Sequence, residues 1–205
     1  MSAPCFIALE GIDGSGTTTQ CQLLVEELHR RTHREVIKTR EPYDAHLTRR
    51  IRQWLTEDAP PRHSLLLAFA LDRQIHLEEV VLPALERGAI VVTDRYKLST
   101  SAYQRKHNPW ALIEAMLDEA PDPDLTLLLR VTPEEAAARV ASRSVTPDAY
   151  ERSIDFQRYV DEAYMTAAEH AREGGAVVEV VEAQGMSILE THDALTRVVC
   201  DRFGF

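Results

Sequence analysis

Lysine is nearly absent from this 205-residue chain. Of its 23 basic residues only Lys38, Lys97 and Lys106 are lysines, and the rest are arginines. Cysteine is as sparse. Cys5, Cys21 and Cys200 stand far apart and form no C-x-x-C pair. That excludes a disulfide framework and points to a reducing, cytoplasmic compartment. Positive charge is short overall: the formal net charge is −10, which argues against a nucleic-acid or anionic-membrane surface. No apolar run approaches the ~20 residues that span a bilayer. Met1-Ser2-Ala3-Pro4 lacks the charged segment and apolar stretch of a secretion signal. If such a chain binds polyanionic nucleotides, it must concentrate its positive field locally, through arginines and backbone N–H groups.

What the chain has is alternation. Short apolar runs (Phe6–Glu10, Val36–Thr39, Ala89–Thr93, Asp124–Val131, Ala176–Val181) alternate with amphipathic helical stretches. This is the pattern of a parallel sheet covered on both faces, and the length fits one α/β domain over residues 1–205. Thr132-Pro133-Glu134-Glu135 reads as a helix start, with Thr at the N-cap and Pro at the first turn. Pro83 is expected to kink or shorten the helix spanning about 64–86. Residues around 142–152 read as a flexible loop.

The first run leads into Gly11-Ile12-Asp13-Gly14-Ser15-Gly16-Thr17-Thr18-Thr19. This is the phosphate-binding pattern G-x-x-x-x-G-K-[ST] in all but one place: Thr17 stands where the lysine belongs. Glycines let such a loop turn its backbone N–H groups inward onto phosphate oxygens, and the following helix adds the positive end of its dipole. Gly11, Gly14, Ser15, Gly16, Thr17, Thr18 and Thr19 are therefore the candidate ATP-phosphate residues. The Thr18 hydroxyl stands where Mg²⁺ is ligated. Thr17 can donate a hydrogen bond but brings no charge.

Four more segments follow in order: Thr39-Arg40-Glu41-Pro42; Phe69-Ala70-Leu71-Asp72-Arg73-Gln74-Ile75-His76; Thr93-Asp94-Arg95-Tyr96 with Ser99-Thr100-Ser101-Ala102-Tyr103; and Glu182-Ala183-Gln184. Taken singly, Phe69 and Tyr103 read as packing and Arg73 as a solvated helix residue. Taken together, the set resembles bacterial thymidylate kinases over almost the whole chain. The resemblance implies a three-layer P-loop NTPase fold: a five-stranded parallel sheet, helices on both faces and a short lid. It implies transfer of the γ-phosphate of ATP to dTMP with Mg²⁺, by a homodimer.

Position by position, the resemblance puts Asp13 at the 3′-hydroxyl of the acceptor, Phe69 on the thymine ring and Arg73 on the base edge. Arg95, helped by Arg40, would clamp the acceptor phosphate. Asp94 would act near the metal, Thr100 at the base and Tyr103 under the sugar. The loop around Ala183 would border the adenine. The catalytic set is then Asp13, Asp94 and Arg95, joined by Arg143 and Arg152 from the lid, and the metal side is Thr18 with Asp94.

The chain leaves the family pattern in three places. Thr17 is the first. After Arg40-Glu41-Pro42 the family usually has Gly-Gly-Thr, where this chain has Tyr43-Asp44-Ala45. In the lid the usual Arg-Gly-x-x-Asp-Arg-x-Glu is lost, Asp148 falls near a lid-arginine position, and Tyr159 and Asp161 fall where arginines recur. Two of these departures remove positive charge from the ATP side. Three outcomes stay open: a dTMP kinase with slowed turnover, a nucleotide-binding homologue that no longer catalyses, and a kinase with a different acceptor. Lys97 is a candidate for the missing charge, against the plainer reading of an exposed loop lysine.

Overall fold

A computed structural model describes residues 4–56, 61–142 and 153–205. Five strands form one sheet: β1 (Cys5–Glu10), β2 (Val36–Arg40), β3 (Ile90–Asp94), β4 (Leu125–Arg130) and β5 (Val178–Glu182). Every pairing is parallel, and the order is β2-β3-β1-β4-β5. Each expected apolar run supplies one strand.

The helices are α1 (Thr17–Thr32), α2 (Ala45–Leu55), α3 (Arg62–His76), α4 (Leu82–Glu86), α5 (Lys97–Gln104), α6 (Trp110–Leu117), α7 (Pro133–Ala141), α8 (Ile154–Glu173) and α9 (Ile188–Phe203). They cover both faces, because successive residues of a strand point to opposite sides. On one side Cys5, Ile7 and Leu9 of β1 pack with Leu24 and Leu28 of α1 and with Leu195 and Val199 of α9. On the other, Phe6 and Ala8 meet Leu77, Val81 and Tyr96. Among the described residues no helix is long and apolar enough to cross a membrane.

Local chemistry sets the helix ends. Thr132 caps α7, its Oγ1 accepting from the Glu135 N–H at 3.3 Å, and Ser187 with Glu190 forms a reciprocal capping box at α9. Pro83 does not end its helix. A π-helical turn over Leu77–Val81 joins α3 to α4, with the Leu82 N–H reaching back to the Leu77 carbonyl. The widened turn gives room for a ring that cannot donate to the preceding turn.

Strand β1 ends in the fully buried carboxylate of Glu10. It accepts from the backbone N–H groups of Tyr96 (3.0 Å) and Ser99 (3.2 Å) and from the Ser99 hydroxyl. Burial pushes its pKa above the ordinary carboxylate value. These bonds tie the start of α5 to the carboxyl edge of the sheet. At that edge the chain turns from the β2–β3 side to the β4–β5 side, the place where open α/β sheets bind ligands.

Candidate functional site

The loop after β1 needs its glycines. Gly11 has φ 156°, and a Cβ there would lie 2.6 Å from the Leu129 carbonyl oxygen; Gly14 has φ 91°, and a Cβ there would enter the backbone of Ala136. Gly16 leads into α1 with φ 103° and offers no side-chain cap, and the first turn of α1 carries no acidic residue. The opening N–H groups of α1 are thus left for an anion. Thr17 is buried and, with Gly14, Gly16 and Thr18, lines a cleft of about 360 Å³.

The same cleft is also lined by Arg40 from the end of β2 and Arg52 from α2. Both are exposed. Asp94, in register with Arg40 at the neighbouring strand end, accepts the Thr18 hydroxyl at Oδ2 over 2.6 Å. Its Oδ1 is buried without a partner among the described residues. A hydroxyl beside a half-engaged carboxylate is a hard-oxygen pair. Mg²⁺ takes one or two such protein oxygens, with phosphates and waters completing its shell, so Thr18 and Asp94 fit it. Among the described residues there is no cluster of three His, Cys, Asp or Glu side chains for a metal held by protein alone.

Arg95 follows with φ 76°, a left-handed conformation that costs a non-glycine residue energy. The surroundings hold it there. The Thr93 hydroxyl donates to the Arg95 carbonyl at 2.9 Å, and the Arg95 N–H donates to the Leu9 carbonyl at 2.8 Å. Its Nη1 reaches the Gly11 carbonyl (2.6 Å) and the Tyr164 hydroxyl (2.9 Å), and its Nη2 reaches Asp13 Oδ1 (2.7 Å). Tyr103 donates its hydroxyl to Asp13 Oδ2 at 2.7 Å. Burial first, and then the Asp13 carboxylate, push the Tyr103 pKa well above its ordinary value, so it stays a donor.

Beyond Arg95 a second hollow, about 120 Å³, opens between α3 and α5. It shares Asp13, Phe69 and Arg95 with the phosphate-loop cleft, so the two form one groove. Phe69 is half-buried against Ile51, Leu55 and Leu65. Arg73, one helical turn on, is 2% exposed. It forms a forked pair with Glu41, Nε at 3.0 Å and Nη2 at 2.6 Å from Oε2, and Nη2 also donates to Thr100 Oγ1 at 2.9 Å. Burial works against its charge and Glu41 outweighs that, leaving its pKa raised.

The structure thus brings Asp13, Arg40, Phe69, Arg73, Asp94, Arg95, Thr100 and Tyr103 around one groove with Gly14, Gly16, Thr17, Thr18 and Thr19, while Gly11 and Ser15 line neither cavity. Ala183 is placed differently: it is fully buried in packing against α5 and α8 and lines neither cavity. Lys97 pairs with Asp122 at 2.8 Å and supplies nothing to the groove. Arg143, Arg152, Asp148 and the expected lid beyond Ser142 lie outside the described residues. The Tyr43-Asp44 departure is architectural. Asp44 caps α2, Tyr43 stacks on His76, and the Asp72 carboxylate receives both of their N–H groups at 2.6 and 2.8 Å. Asp161 pairs with Arg130.

Three side chains at the site carry no distinguishing signal in the sequence: Glu41, Arg52 and Arg139. Arg139 pairs with Glu135 one helical turn away, and its Nη1 also donates to the Ser15 carbonyl at 3.2 Å, on the phosphate loop itself.

A parallel sheet of this order, with a glycine-rich phosphate loop after its central strand and arginines around the adjoining groove, defines a nucleotide-binding protein of the P-loop kinase class. A family model described as thymidylate kinase matches residues 9–194. The thymidylate kinase of Jannaschia sp. is 39% identical over 173 residues, which cover 80% of this chain and 83% of that one. The probable thymidylate kinase of Pyrococcus abyssi is 34% identical over 206 residues, 95% of each chain. The crystal structure of thymidylate kinase from Ehrlichia chaffeensis superposes with a TM-score of 0.74 at 27% identity, covering 96% of this chain and 99% of that one. The chain belongs to the thymidylate kinase family.

Proposed function

We propose that this protein transfers the γ-phosphoryl group of ATP to dTMP, giving dTDP. The observation that carries the reading is the single groove that runs from the phosphate loop, past Asp13 and Arg95, to Phe69 and Arg73. One end suits a triphosphate and the other a base with its sugar. The acceptor phosphate is already ionised, so no strong general base is needed; positioning and charge stabilisation do the work.

In this reading Gly11, Gly14, Ser15, Gly16, Thr17, Thr18 and Thr19 cradle the ATP phosphates, and the loop around Ala183 borders the adenine. Phe69 stacks on the thymine, and Arg73 and Thr100 meet its edge. Tyr103 supports the sugar. Asp13 has both oxygens engaged yet keeps lone pairs for the 3′-hydroxyl. Arg95, locked by four acceptors before any substrate arrives, clamps the acceptor phosphate with Arg40. Thr18 and Asp94 would hold Mg²⁺, which would supply positive charge beside the phosphates. Arg143 and Arg152 reach the transferred group from the lid.

Thr17 keeps a second reading in view, a binding protein with little turnover. Against it, Arg40 and Arg52 line the same cleft as Thr17 and have no partner among the described residues, whereas Arg73, Arg95 and Arg139 are all engaged. These two guanidinium groups, unpaired among the described residues, supply part of the charge a lysine would bring. A homodimer suits the exposed Leu67 and Leu71 of α3 and Leu82 beyond them, which a second copy would cover. Three free thiols suit the cytoplasm.

The test is a coupled kinase assay with ATP, Mg²⁺ and a panel of nucleoside monophosphates, beside calorimetric titration of each. Turnover greatest with dTMP supports the reading. Binding of dTMP without product supports the second, and preference for another acceptor refutes both.

A further inference from the structure

We propose that Glu41, clamped by His76, is a positioning residue that turns Arg73 into a reader of hydrogen-bond acceptors. The hollow beside Phe69 then admits a pyrimidine with a carbonyl at ring position 4 and refuses one with an amino group there. This deepens the dTMP reading and rests on it.

The donors of Arg73 can be counted. Its Nε–H lies 3.2 and 3.0 Å from the two oxygens of Glu41. One N–H of Nη2 goes to Glu41 Oε2 at 2.6 Å and the other to Thr100 Oγ1 at 2.9 Å. Both N–H bonds of Nη1 remain. That atom is buried and has no partner among the described residues, and Arg73 lines the hollow. The guanidinium plane is steadied by the Tyr96 ring, 4.9 Å from its central carbon. An orphaned, buried, charged donor is unfavourable unless something arrives to accept from it. Guanidinium has no acceptor of its own. A ring carbonyl satisfies Nη1, and an amino group sets donor against donor.

Glu41 decides which donors are left over, and it is held in turn. His76 is fully buried, with Nδ1 3.1 Å from Glu41 Oε1 and Nε2 2.7 Å from the Thr39 hydroxyl. The carboxylate can only accept, so Nδ1 donates to it, and Nε2 is held by the Thr39 hydroxyl. The Tyr43 ring stacks on the imidazole at 5.0 Å. This line from Thr39 through His76 and Glu41 to Arg73 joins the end of β2 to α3. Without Glu41 the guanidinium keeps its charge and loses its orientation, and the donor pattern is no longer defined.

The experiment measures kcat and KM for dTMP and dCMP, with calorimetric dTMP binding, in wild type, Glu41→Gln, His76→Asn and His76→Leu. In Glu41→Gln the dTMP-over-dCMP ratio of kcat/KM falls by about 10-fold or more, mostly through KM for dTMP, with kcat changed much less. His76→Asn keeps an amide donor near the Nδ1 position and retains more of the ratio than His76→Leu. A merely structural role would lower both substrates together. If Glu41→Gln does not fold, the two His76 variants decide. An unchanged ratio in Glu41→Gln, or equal ratios in His76→Asn and His76→Leu, overturns the positioning role and leaves the dTMP reading standing. A wild type that neither binds nor phosphorylates dTMP overturns both.

Discussion

Asp13 and Arg95 meet at 2.7 Å from the ends of two adjacent strands, 82 residues apart in the chain. The pair joins the phosphate loop to the acceptor side of the groove. Tyr103 donates to the other oxygen of Asp13, so the carboxylate is fixed from both sides.

Asp13→Asn removes the charge and keeps the shape. It lowers kcat/KM for dTMP by about 10²-fold, the scale for losing one charge-assisted contact in a water-poor site, and leaves KM for ATP nearly unchanged. The pair is partly exposed, so stability drops by only about 1 kcal/mol. Steady-state kinetics beside thermal unfolding check this; an equal loss for both substrates counts against it.

Thr17 and Arg52 line the same phosphate cleft, and their substitutions interact. Thr17→Lys raises kcat by about 10-fold or more, since a lysine there reaches the phosphates directly. Arg52→Ala lowers kcat about 10-fold in the natural chain and much less in the Thr17→Lys background. A double-mutant cycle measures the coupling. Additive effects would show that Arg52 does not stand in for the lysine.

Burial pushes the thiols of Cys5 and Cys21 up to about 12, helped by Asp124 beside the first and Asp94 beside the second. The folded-state values lie above those of an unfolded chain, so the fold favours the neutral thiol. That contribution is complete below the unfolded value and is lost as pH rises toward about 12. At pH 8 a disulfide reagent therefore titrates one thiol, Cys200, in the native protein and three after denaturation. Two or more fast native thiols would contradict the burial, and the thermal midpoint falls between pH 9 and 11.

Much of this was legible in order and spacing. Gly11, Gly14 and Gly16 sit at positions that only a tight anion loop requires, and the run Leu125–Leu129 reads as a strand covered on both faces. Other features carry no local signal. Arg139 and Glu135 are spaced as any surface pair, and only the approach of α7 to Gly14 puts Arg139 on the loop. Arg52 stands among other arginines, and nothing in its neighbours distinguishes the one that faces the cleft. The role of Glu41 depends on β2 ending beside α3, a meeting of residues 32 positions apart. The π-helical turn leaves only Pro83 as its trace.

The first strand of the chain is also the middle strand of the sheet, bordered by residues 90–94 and 125–130. Even the Phe6 N–H waits for a carboxylate 118 residues later. During synthesis at about 5–20 residues per second, Phe6, Ile7 and Leu9 therefore leave the ribosome with no strand partner for roughly ten seconds. The newborn polypeptide carries an apolar strand with both edges unpaired over that interval. Slowing translation before codon 130 should lower the yield of usable protein, while slowing it afterwards should not.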